Sequence, residues 1–396
     1  MFPKARIPYG TWGSSYFPAW QTSALAEVNI AQFAGEAMNK ILGMRKVPKS
    51  ELDYLVIGST VPWHWKFWNA TLVASCLGQR IPGFHMEQAC ATGLQSIVLA
   101  ASEIEGGSYD VIGVCTFDRT SDSPVGVFPE RRAYRRTEVL ADVWDNFGFD
   151  PATGDAMIAT AGIAARKYKI NREEVDDLTF HRYKQYFDTK NSAFFDNVLV
   201  PLEVLSIQGR FLGNVDDDFG IRSITRAGLR GMRELDTCIT PGSQTHASDG
   251  MATILVTNVD KARELSLRPE IDIQLVGKIE VRALPSLMPE APALAVQKLL
   301  QRTDLTMNDM VVVKNHNPFA VNDAIFAKAL NYDWHKMNTT GCSLVWGHPQ
   351  GPTLTRIVVE SIEEAVSLGG GYALVFGCAA GDVGIAAIFE VTEGGR

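Results

Sequence analysis

Short apolar runs and amphipathic stretches alternate along the chain in an order that occurs twice. Residues 51–58 and 307–314 each lead into an apolar run, and residues 106–115 and 369–378 each carry glycines followed by another. A short unbroken apolar run is typical of a strand buried on both faces, and the glycines suit a left-handed helix C-cap. The pattern predicts strand, loop, helix and strand in both copies, and favours an internal duplication over chance similarity.

The stretch before the second strand of the first copy predicts a helix. Residues 92–100 begin with small residues and continue with helix formers whose apolar positions recur at helical spacing. Alternating strands and helices imply an α/β fold with helices on both faces of its sheets. Between the copies, residues 117–250 are rich in charge, and residues 171–174 are typical of a helix capping box. We expect this region to be a loop domain inserted into the first copy.

Length and charge narrow the classes of function. The 396 residues suffice for several domains or one large duplicated unit. A net charge of -8 gives no basic footprint for nucleic acid or an anionic membrane. No apolar run approaches the roughly 18 residues of a membrane span, and the first residues lack the apolar region of a signal peptide. The six cysteines include no C-x-x-C pair, so neither a metal site nor a disulfide framework is indicated, and we expect a cytoplasmic location.

Cys90 stands out because it lies at the entrance of the predicted helix. The positive end of a helix dipole stabilises a thiolate over a thiol, and the thiolate is the attacking form. The competing interpretation is a cysteine that only packs in a core, as this residue type often does. Three further candidate residues, described next, favour the nucleophile.

Three further residues fall at strand ends or in the loops between elements, where ligands gather in such folds. His316 follows a predicted strand, and Cys378 begins a turn of small residues that backbone and ligand could approach closely. His348 precedes a helix predicted over residues 353–360. Taken singly, each has a structural alternative, since histidines satisfy buried carbonyls and glycines form turns. We predict that all three converge on Cys90.

Motifs along nearly the whole chain resemble those of the thiolase family. The most specific are Gln88-Ala89-Cys90-Ala91-Thr92-Gly93, which is similar to the family's nucleophile motif, Gly347-His348-Pro349, and the cysteine of a C-x-G motif at Cys378. Weaker matches lie at residues 5–10, 171–174, 218–222 and 248–252.

The resemblance implies an α/β thiolase fold, with two duplicated βαβαβ-type halves in five layers, α-β-α-β-α, and an inserted loop domain. The expected bounds are 1–116 plus 251–265 for the N-terminal half, 117–250 for the loop domain and 266–396 for the C-terminal half. It also implies an acyltransferase without a bound cofactor or metal, whose substrates are coenzyme A and acyl-CoA.

The resemblance further implies a role for each candidate. Cys90 would hold the acyl group as a thioester, and His348 would accept its proton. Cys378 would move the proton on the α-carbon of the second substrate, while His316 and backbone N–H groups would stabilise oxyanions. In one direction the reaction is a Claisen condensation, and in the other it is CoA-dependent cleavage of a 3-oxoacyl-CoA.

Two positions depart from the family pattern. His316-Asn317-Pro318-Phe319 stands where most thiolases have N-E-A-F. Its histidine is similar to the H-D-C-F of the sterol-carrier-protein type, whose cysteine is replaced by Pro318. Ala380 stands where C-x-G has its glycine. We expect its methyl group to narrow that turn or to displace a backbone donor.

A tryptophan-rich segment, residues 62–68, holds three of the eight tryptophans. These rings fit a subunit interface, where tryptophan is enriched, or a pocket for a bulky or aromatic acyl group. Trp346, close to His348 in the sequence, adds weight to the pocket. We expect substrate contacts at Trp346, at Gly381 and at Thr245, which lies near the family's loop-domain serine.

Partners and rival functions follow from the same resemblance. Thiolases form homodimers or tetramers, and some that act on aromatic compounds or sterol side chains work with a small zinc-ribbon/OB-fold chain. A decarboxylating condensing enzyme of the ketoacyl-synthase type would use Cys90, His316 and His348 without needing Cys378. A third alternative is a thiolase fold kept as a non-catalytic scaffold subunit.

Overall fold

The computed structural model describes residues 2–122, 124–132, 135–142 and 144–394. Within these ranges the strands are β1 (Trp12–Ser14), β2 (Tyr54–Gly58), β3 (Gly83–Met86), β4 (Val111–Arg119), β5 (Val125–Arg132), β6 (Arg135–Asp142), β7 (Leu202–Leu205), β8 (Phe211–Val215), β9 (Asp249–Thr257), β10 (Ile271–Arg282), β11 (Met310–His316), β12 (Gly371–Ala379) and β13 (Val383–Glu393). The helices are α1 (Ile30–Met44), α2 (Asn69–Cys76), α3 (Thr92–Gly106), α4 (Asp145–Gly148), α5 (Met157–Lys167), α6 (Arg172–Thr189), α7 (Arg226–Arg230), α8 (Val259–Leu265), α9 (Ala291–Thr303), α10 (Ala320–Leu330), α11 (Ser343–Trp346) and α12 (Gly351–Ser367).

Two mixed sheets repeat one arrangement. The first has the order β1-β9-β4-β2-β3 and the second β10-β13-β12-β11. In the first, β2 and β4 run parallel and β9 is antiparallel to β4. In the second, β11 and β12 run parallel and β13 is antiparallel to β12. The helices α3 and α12 lie between the parallel strands in the sequence, so both copies have the predicted order of strand, helix and strand.

The helices form three layers around the two sheets. Between the sheets, α3 and α12 pack on each other and on the strands of both sheets. On the outer side of the first sheet lie α1 and α2, and α9 covers the outer side of the second. The result is the expected α-β-α-β-α arrangement. No helix in the part of the chain that the structure describes combines the length and apolarity needed to cross a bilayer.

Helices α3 and α12 meet backbone to backbone at their N-terminal ends. A Cβ at Gly93 would lie 2.6 Å from the carbonyl oxygen of Gly351 and 2.7 Å from the amide of Thr355. Only glycine fits at that distance. Because the first turns of the two helices touch, the residues that precede them, Cys90 and His348, are brought together.

The segment between β4 and β9 is anchored on the second half by a buried ion pair. Its long helix α6 begins at Asn171, whose side chain accepts a hydrogen bond from the amide of Glu174 at 2.9 Å, as the capping pattern predicts. Farther along α6, Arg182 donates to Asp323 of α10 at 2.8 Å, and both side chains are fully buried. Asp323 also accepts from Asn317, so this contact holds the loop that follows His316.

Candidate active site

Cys90 lies in a tight turn immediately before α3. Ala89 adopts a left-handed backbone (φ 44°), which turns the chain sharply before the helix. Cys90 itself is almost buried, with 8% of its surface exposed. Its Sγ lies 3.1 Å from Nε2 of His348. The structure therefore joins the two halves of the chain through a thiol–imidazole contact.

His348 is held in place by its own turn and by Thr353. The preceding Gly347 has a φ of 97°, and a Cβ there would lie 1.9 Å from Oγ of Ser248, so glycine is required. Nδ1 of His348 lies 2.7 Å from Oγ1 of Thr353, at the start of α12. If Nδ1–H donates to this hydroxyl, Nε2 carries a lone pair and can accept the proton of Cys90.

Burial keeps the thiol and the imidazole neutral. It raises the pKa of Cys90 to about 12, although the backbone amides of Ala380 and Cys90 hydrogen-bond to the sulfur and lower it. It also lowers the pKa of His348 to about 3. The helix entrance was expected to favour a resting thiolate, but loss of solvation outweighs the dipole here.

The backbone amide at Ala380 remains available despite the missing glycine. This amide hydrogen-bonds to Sγ of Cys90 and thereby lowers the pKa of that thiol. The left-handed conformations of this turn fall on Gly381 (φ 84°) and Asp382 (φ 62°), not on Ala380. The methyl group therefore does not displace the donor, and that expectation is corrected.

His316 lies against His348 and has one unused ring nitrogen. The two rings are 4.0 Å apart between centroids and inclined by 30°. Nδ1 of His316 lies 2.8 Å from Oγ of Ser343, whereas Nε2 is buried without a hydrogen-bond partner. Burial, and secondarily His348, hold the pKa of His316 well below its usual value. Sγ of Cys90 and one nitrogen of each histidine lie within 4.8 Å of one another, a donor set that could also hold a soft metal ion.

Cys378 is fully buried at the end of β12. The amide Nδ2 of Asn322 donates to its Sγ at 3.4 Å, and Oδ1 of Asn322 accepts from the amide of Phe319 at 3.2 Å. Burial raises the pKa of Cys378, with Cys90 as a further cause, while the bond from Asn322 lowers it. The two thiols thus belong to one electrostatic neighbourhood.

Cys90 borders two cavities. The first, the Thr245 cavity, has a volume of about 430 Å³, mainly apolar walls and no Asp, Glu, Lys or Arg among its described lining residues. The residues that border it are Cys90, Thr120, Trp144, Phe147, Gly148, Ala156, Met157, Ile158, Gln244, Thr245, His246, Ala247, Met288, Pro318, Phe319, His348, Gln350 and Ala380.

The second, the Gly381 cavity, has a volume of about 480 Å³ and shares several of those walls. Its lining residues are Thr60, Glu87, Ala89, Cys90, Asn146, Phe147, Phe149, Asp150, Pro151, Met157, Gln350, Ala380 and Gly381. Thr245 and Gly381, both expected at substrate, therefore border different spaces that meet at the nucleophile.

Trp346 occupies another position than expected. It is fully buried, with its ring 5.5 Å from that of Phe17 and 4.3 Å from the guanidinium carbon of Arg356. It does not border either cavity, because its ring points into the core behind the turn of His348. This corrects the expected substrate contact at Trp346. The tryptophan-rich segment is also absent from both linings, and Phe67 within it is 86% exposed.

Several residues of the site were not identified from the sequence. They are Asn322 beside Cys378, Ser343 beside His316, Thr353 beside His348, and Gln350 between the two cavities. Gln350 gave the clearest signal, since it is a large polar residue between Pro349 and Gly351. The other three act through contacts that depend on the fold.

Comparisons with known proteins agree with this geometry. Residues 17–260 match the family described as thiolase, N-terminal domain, and residues 270–391 match thiolase, C-terminal domain. An acetyl-CoA acetyltransferase of Synechocystis sp. is 27% identical over 369 residues, covering 89% of each chain. A probable acetyl-CoA acyltransferase of Staphylococcus aureus is 27% identical over 392 residues, covering 93% of this chain and 95% of the relative.

Solved structures give the same fold. Human mitochondrial 3-ketoacyl-CoA thiolase aligns with a TM-score of 0.89 at 24% identity, over 98% of this chain and 99% of that one. Acetyl-CoA acetyltransferase of Bacillus anthracis aligns with a TM-score of 0.88 at 24% identity, over 98% of both chains. The family matches together span most of the sequence. The chain belongs to the thiolase family of acyltransferases.

Proposed function

We propose that the protein is a thiolase that cleaves a 3-oxoacyl-CoA with coenzyme A, or runs the reverse Claisen condensation, through an acyl-enzyme on Cys90. The observation that carries this proposal is the 3.1 Å contact between Sγ of Cys90 and Nε2 of His348. As the sulfur attacks a carbonyl carbon, its proton passes to Nε2. The neutral resting pair supports such a coupled transfer, since a separately formed ion pair would be costly in this buried site.

In the cleavage direction Cys90 attacks the 3-oxo carbon. The bond between C2 and C3 breaks, its electron pair goes to C2, and C2 takes a proton from Cys378. Acetyl-CoA leaves, and the acyl group remains on sulfur. The thiol of coenzyme A then attacks the thioester and releases Cys90, while Cys378 is reprotonated from the coenzyme A thiol by way of the site's proton carriers.

Oxyanions would meet two sets of donors. The amides of Cys90 and Ala380, which hydrogen-bond to Sγ, suit the oxygen of a tetrahedral intermediate on that sulfur. Nε2 of His316 suits the thioester carbonyl of the second substrate when Nδ1 accepts from Ser343. An unpartnered buried polar atom beside the nucleophile supports that assignment.

We assign the coenzyme A arm to the Thr245 cavity. Coenzyme A is strongly anionic, and this cavity has no carboxylate among its described lining residues, whereas the Gly381 cavity carries Glu87 and Asp150. The acyl arm would then extend the other way from Cys90. A bulky or aromatic acyl group remains part of the proposal, now supported by Phe147 and Phe149 rather than by the tryptophan-rich segment.

Mass spectrometry after exposure to acyl-CoA tests the mechanism. We expect one acyl adduct, on the peptide that contains Cys90, in the wild type and in Cys115→Ala. His348→Ala should acylate far more slowly. Absence of an adduct on Cys90 with any thioester, or an equal adduct on the other cysteines, would contradict the proposal and favour the non-catalytic scaffold.

A decarboxylating condensing enzyme remains the second candidate, because Cys90, His316 and His348 form a Cys-His-His cluster. Cys378 discriminates the two, since decarboxylation generates the carbanion without a second thiol. Malonyl-CoA and a 3-oxoacyl-CoA should therefore be offered side by side. Faster turnover of malonyl-CoA, retained in Cys378→Ala, would replace the thiolase proposal.

We further propose that two copies associate through the tryptophan-rich segment and the neighbouring strand β3. This strand is the edge of its sheet, and Trp65, Phe67, Trp68 and Phe84 expose large apolar rings beside it. Exposed edges and apolar patches of this kind are normally covered. Sedimentation should give a dimer or tetramer for the wild type and a monomer for Phe67→Glu. A wild-type monomer would leave the patch to a different chain, such as the small zinc-ribbon/OB-fold partner.

A cytoplasmic location is proposed on the state of the cysteines. All six are free thiols, and Cys90 and Cys378 must stay reduced to act. Cell fractionation with antibody detection would test this, and recovery in an oxidising compartment would contradict it.

A further inference from the structure

Gln350 has an unusual backbone conformation beside the nucleophile. With φ at 64° and ψ at -91°, it lies in a region that residues with side chains rarely adopt. It follows His348 and Pro349 and directly precedes α12. Strain of this kind clusters at functional sites, because the surrounding structure must enforce it. The side chain at this position therefore calls for a functional explanation.

Only one of the two polar atoms of the Gln350 carboxamide has a hydrogen-bond partner among the described residues. Its Oε1 accepts a hydrogen bond from Oγ1 of Thr60 at 3.0 Å. Among the described residues, no group accepts from Nε2. The residue is only 8% exposed, yet it borders both the Thr245 cavity and the Gly381 cavity together with Cys90. Nε2 therefore keeps its donor capacity at the border of the two cavities, where a ligand oxygen can accept from it.

Thr60 is fixed in turn by Asp118. The carboxylate of Asp118 accepts from the amides of Thr60 and Val61, both at 2.8 Å. Its Oδ2 also lies 2.9 Å from Oγ1 of Thr60, so the single hydroxyl proton of Thr60 is shared between Asp118 and Oε1 of Gln350. It also accepts from the amide of Gly351 at 2.8 Å. One buried carboxylate thus fixes both Thr60 and the backbone that follows Gln350, and these two contacts limit where the Gln350 side chain can lie.

The remaining walls of the Gly381 cavity limit the charge of what it binds. Phe147, Phe149, Pro151 and Met157 give it apolar surfaces. Its charged groups are Glu87 and Asp150, and its described lining residues include no lysine or arginine. Glu87 is paired with Lys66, so the repulsion that a carboxylate on the acyl group would face comes chiefly from Asp150.

We propose that the Gly381 cavity selects uncharged acyl groups that carry a hydrogen-bond-accepting oxygen, and that Nε2 of Gln350 binds this oxygen. The assignment rests on the proposed function, since it treats the acyl group as the one transferred to Cys90. Gln350 is the binding residue, and Thr60 is a positioning residue that orients it.

Matched pairs of substrates test the selection. Each pair has the same chain length and differs by one group: a keto, hydroxyl or ether oxygen at successive acyl positions against a methylene. In competition, the wild type should favour one oxygenated member by about tenfold, the size expected for one neutral hydrogen bond. Gln350→Leu should bring that ratio to about one. Gln244→Leu, the matched change in the Thr245 cavity alone, should leave the ratio as in the wild type.

Binding to Cys90→Ala, measured by calorimetry with the same pairs as acyl-CoA thioesters, separates recognition from chemistry. A tenfold preference in Kd without turnover by the wild type would contradict the proposed function and leave the substrate class standing. Equal binding of every pair, preference for a carboxylate-bearing acyl group, or a ratio unchanged in Gln350→Leu would overturn the inference. If Gln350→Leu fails to fold, Gln350→Met replaces it, and the wild-type ratio alone already decides against the inference when it equals one.

Discussion

Cys115 and Cys378 occupy matching places in the repeated pattern, at the end of the apolar run that follows the glycines in each half. Their surroundings differ completely. Sγ of Cys115 faces the outer hydrophobic cluster and lies 3.9 Å from the carbonyl oxygen of Ala34 on α1. Sγ of Cys378 lies near the nucleophile and accepts a hydrogen bond from Nδ2 of Asn322. One thiol is packing, and the other is placed for chemistry.

The ends of the preceding strands differ in the same way. Where the second half has His316 beside Cys90, the first half has Thr60, which orients Gln350. The partners that distinguish the halves, Asn322 and Ser343, lie on α10 and α11, outside the matched segments. The comparison teaches that the duplication supplies the frame, while short helices near the strand ends decide which positions become reactive.

The largest difference in activity is expected between variants that lack the thiol of Cys378 and variants that lack the thiol of Cys115. Cys378→Ala should lower the rate of carbon–carbon bond formation or cleavage by about 1000-fold, as loss of an essential acid–base group does. Acylation of Cys90 by acetyl-CoA, which breaks no carbon–carbon bond, should continue. Cys115→Ala should change either rate less than twofold, a packing effect only. Steady-state thiolysis of a 3-oxoacyl-CoA measures the carbon–carbon step, and the acylation burst with acetyl-CoA measures the transfer to Cys90. Equal losses in both variants would remove the distinction between the halves.

Truncating His316 should have the next largest effect. His316→Ala should reduce kcat by about 100-fold, because one oxyanion donor is lost. His316→Asn, which restores an amide donor of the kind most thiolases have there, should recover part of the rate. Ser343→Ala serves as the control for ring orientation. Full activity in His316→Ala would show that Nε2 contacts no developing charge.

The pH dependence of Cys90 alkylation should show that Cys90 and His348 are both neutral before substrate binds. Because burial raises the pKa of Cys90 to about 12, the reactive thiolate should increase about tenfold with each pH unit between roughly pH 6 and 9. Subtracting the labelling of Cys90→Ala isolates this thiol. A plateau near neutral pH would instead indicate a preformed thiolate–imidazolium pair.

The smallest effect is expected at Asn322. Its bond lowers the pKa of Cys378, so Asn322→Ala should raise that pKa further and shift proton abstraction to higher pH. We expect a roughly fivefold loss in the carbon–carbon step, in line with one neutral hydrogen bond. Exchange of the α-protons of acetyl-CoA with deuterium, followed across pH, measures it. An unshifted profile would make Asn322 purely structural.

Local patterns allowed much of this arrangement to be predicted. Cys90 and His348 each stand in a short motif at a helix entrance, and the structure places them just before α3 and α12, as expected. The repeated order of strands and helices predicted an α/β fold, and the resemblance to the thiolase family implied its five layers. The protonation state of Cys90 did not follow, because burial depends on the whole assembly and outweighs the helix dipole.

Residues whose partners lie far away along the chain could not be identified from the sequence. Trp346 is close to His348 along the chain, but a helical turn directs its ring into the core. Gln350 acquires its meaning only from an uncommon backbone angle and from Thr60, 290 positions away. Composition alone could not separate the surface rings of the tryptophan-rich segment from the pocket rings Phe147 and Phe149.

The contact of Gly93 with Gly351 has a consequence for adaptation. With no side chain between them, the two helices have no adjustable spacer, and we expect substitutions away from this contact to keep the separation of thiol and imidazole. Changes in the substrates that the enzyme accepts are therefore expected at the cavity walls. A library of variants with substitutions only at Phe149, Pro151 and Gln350 should change the substrates that are accepted and keep the contact between α3 and α12.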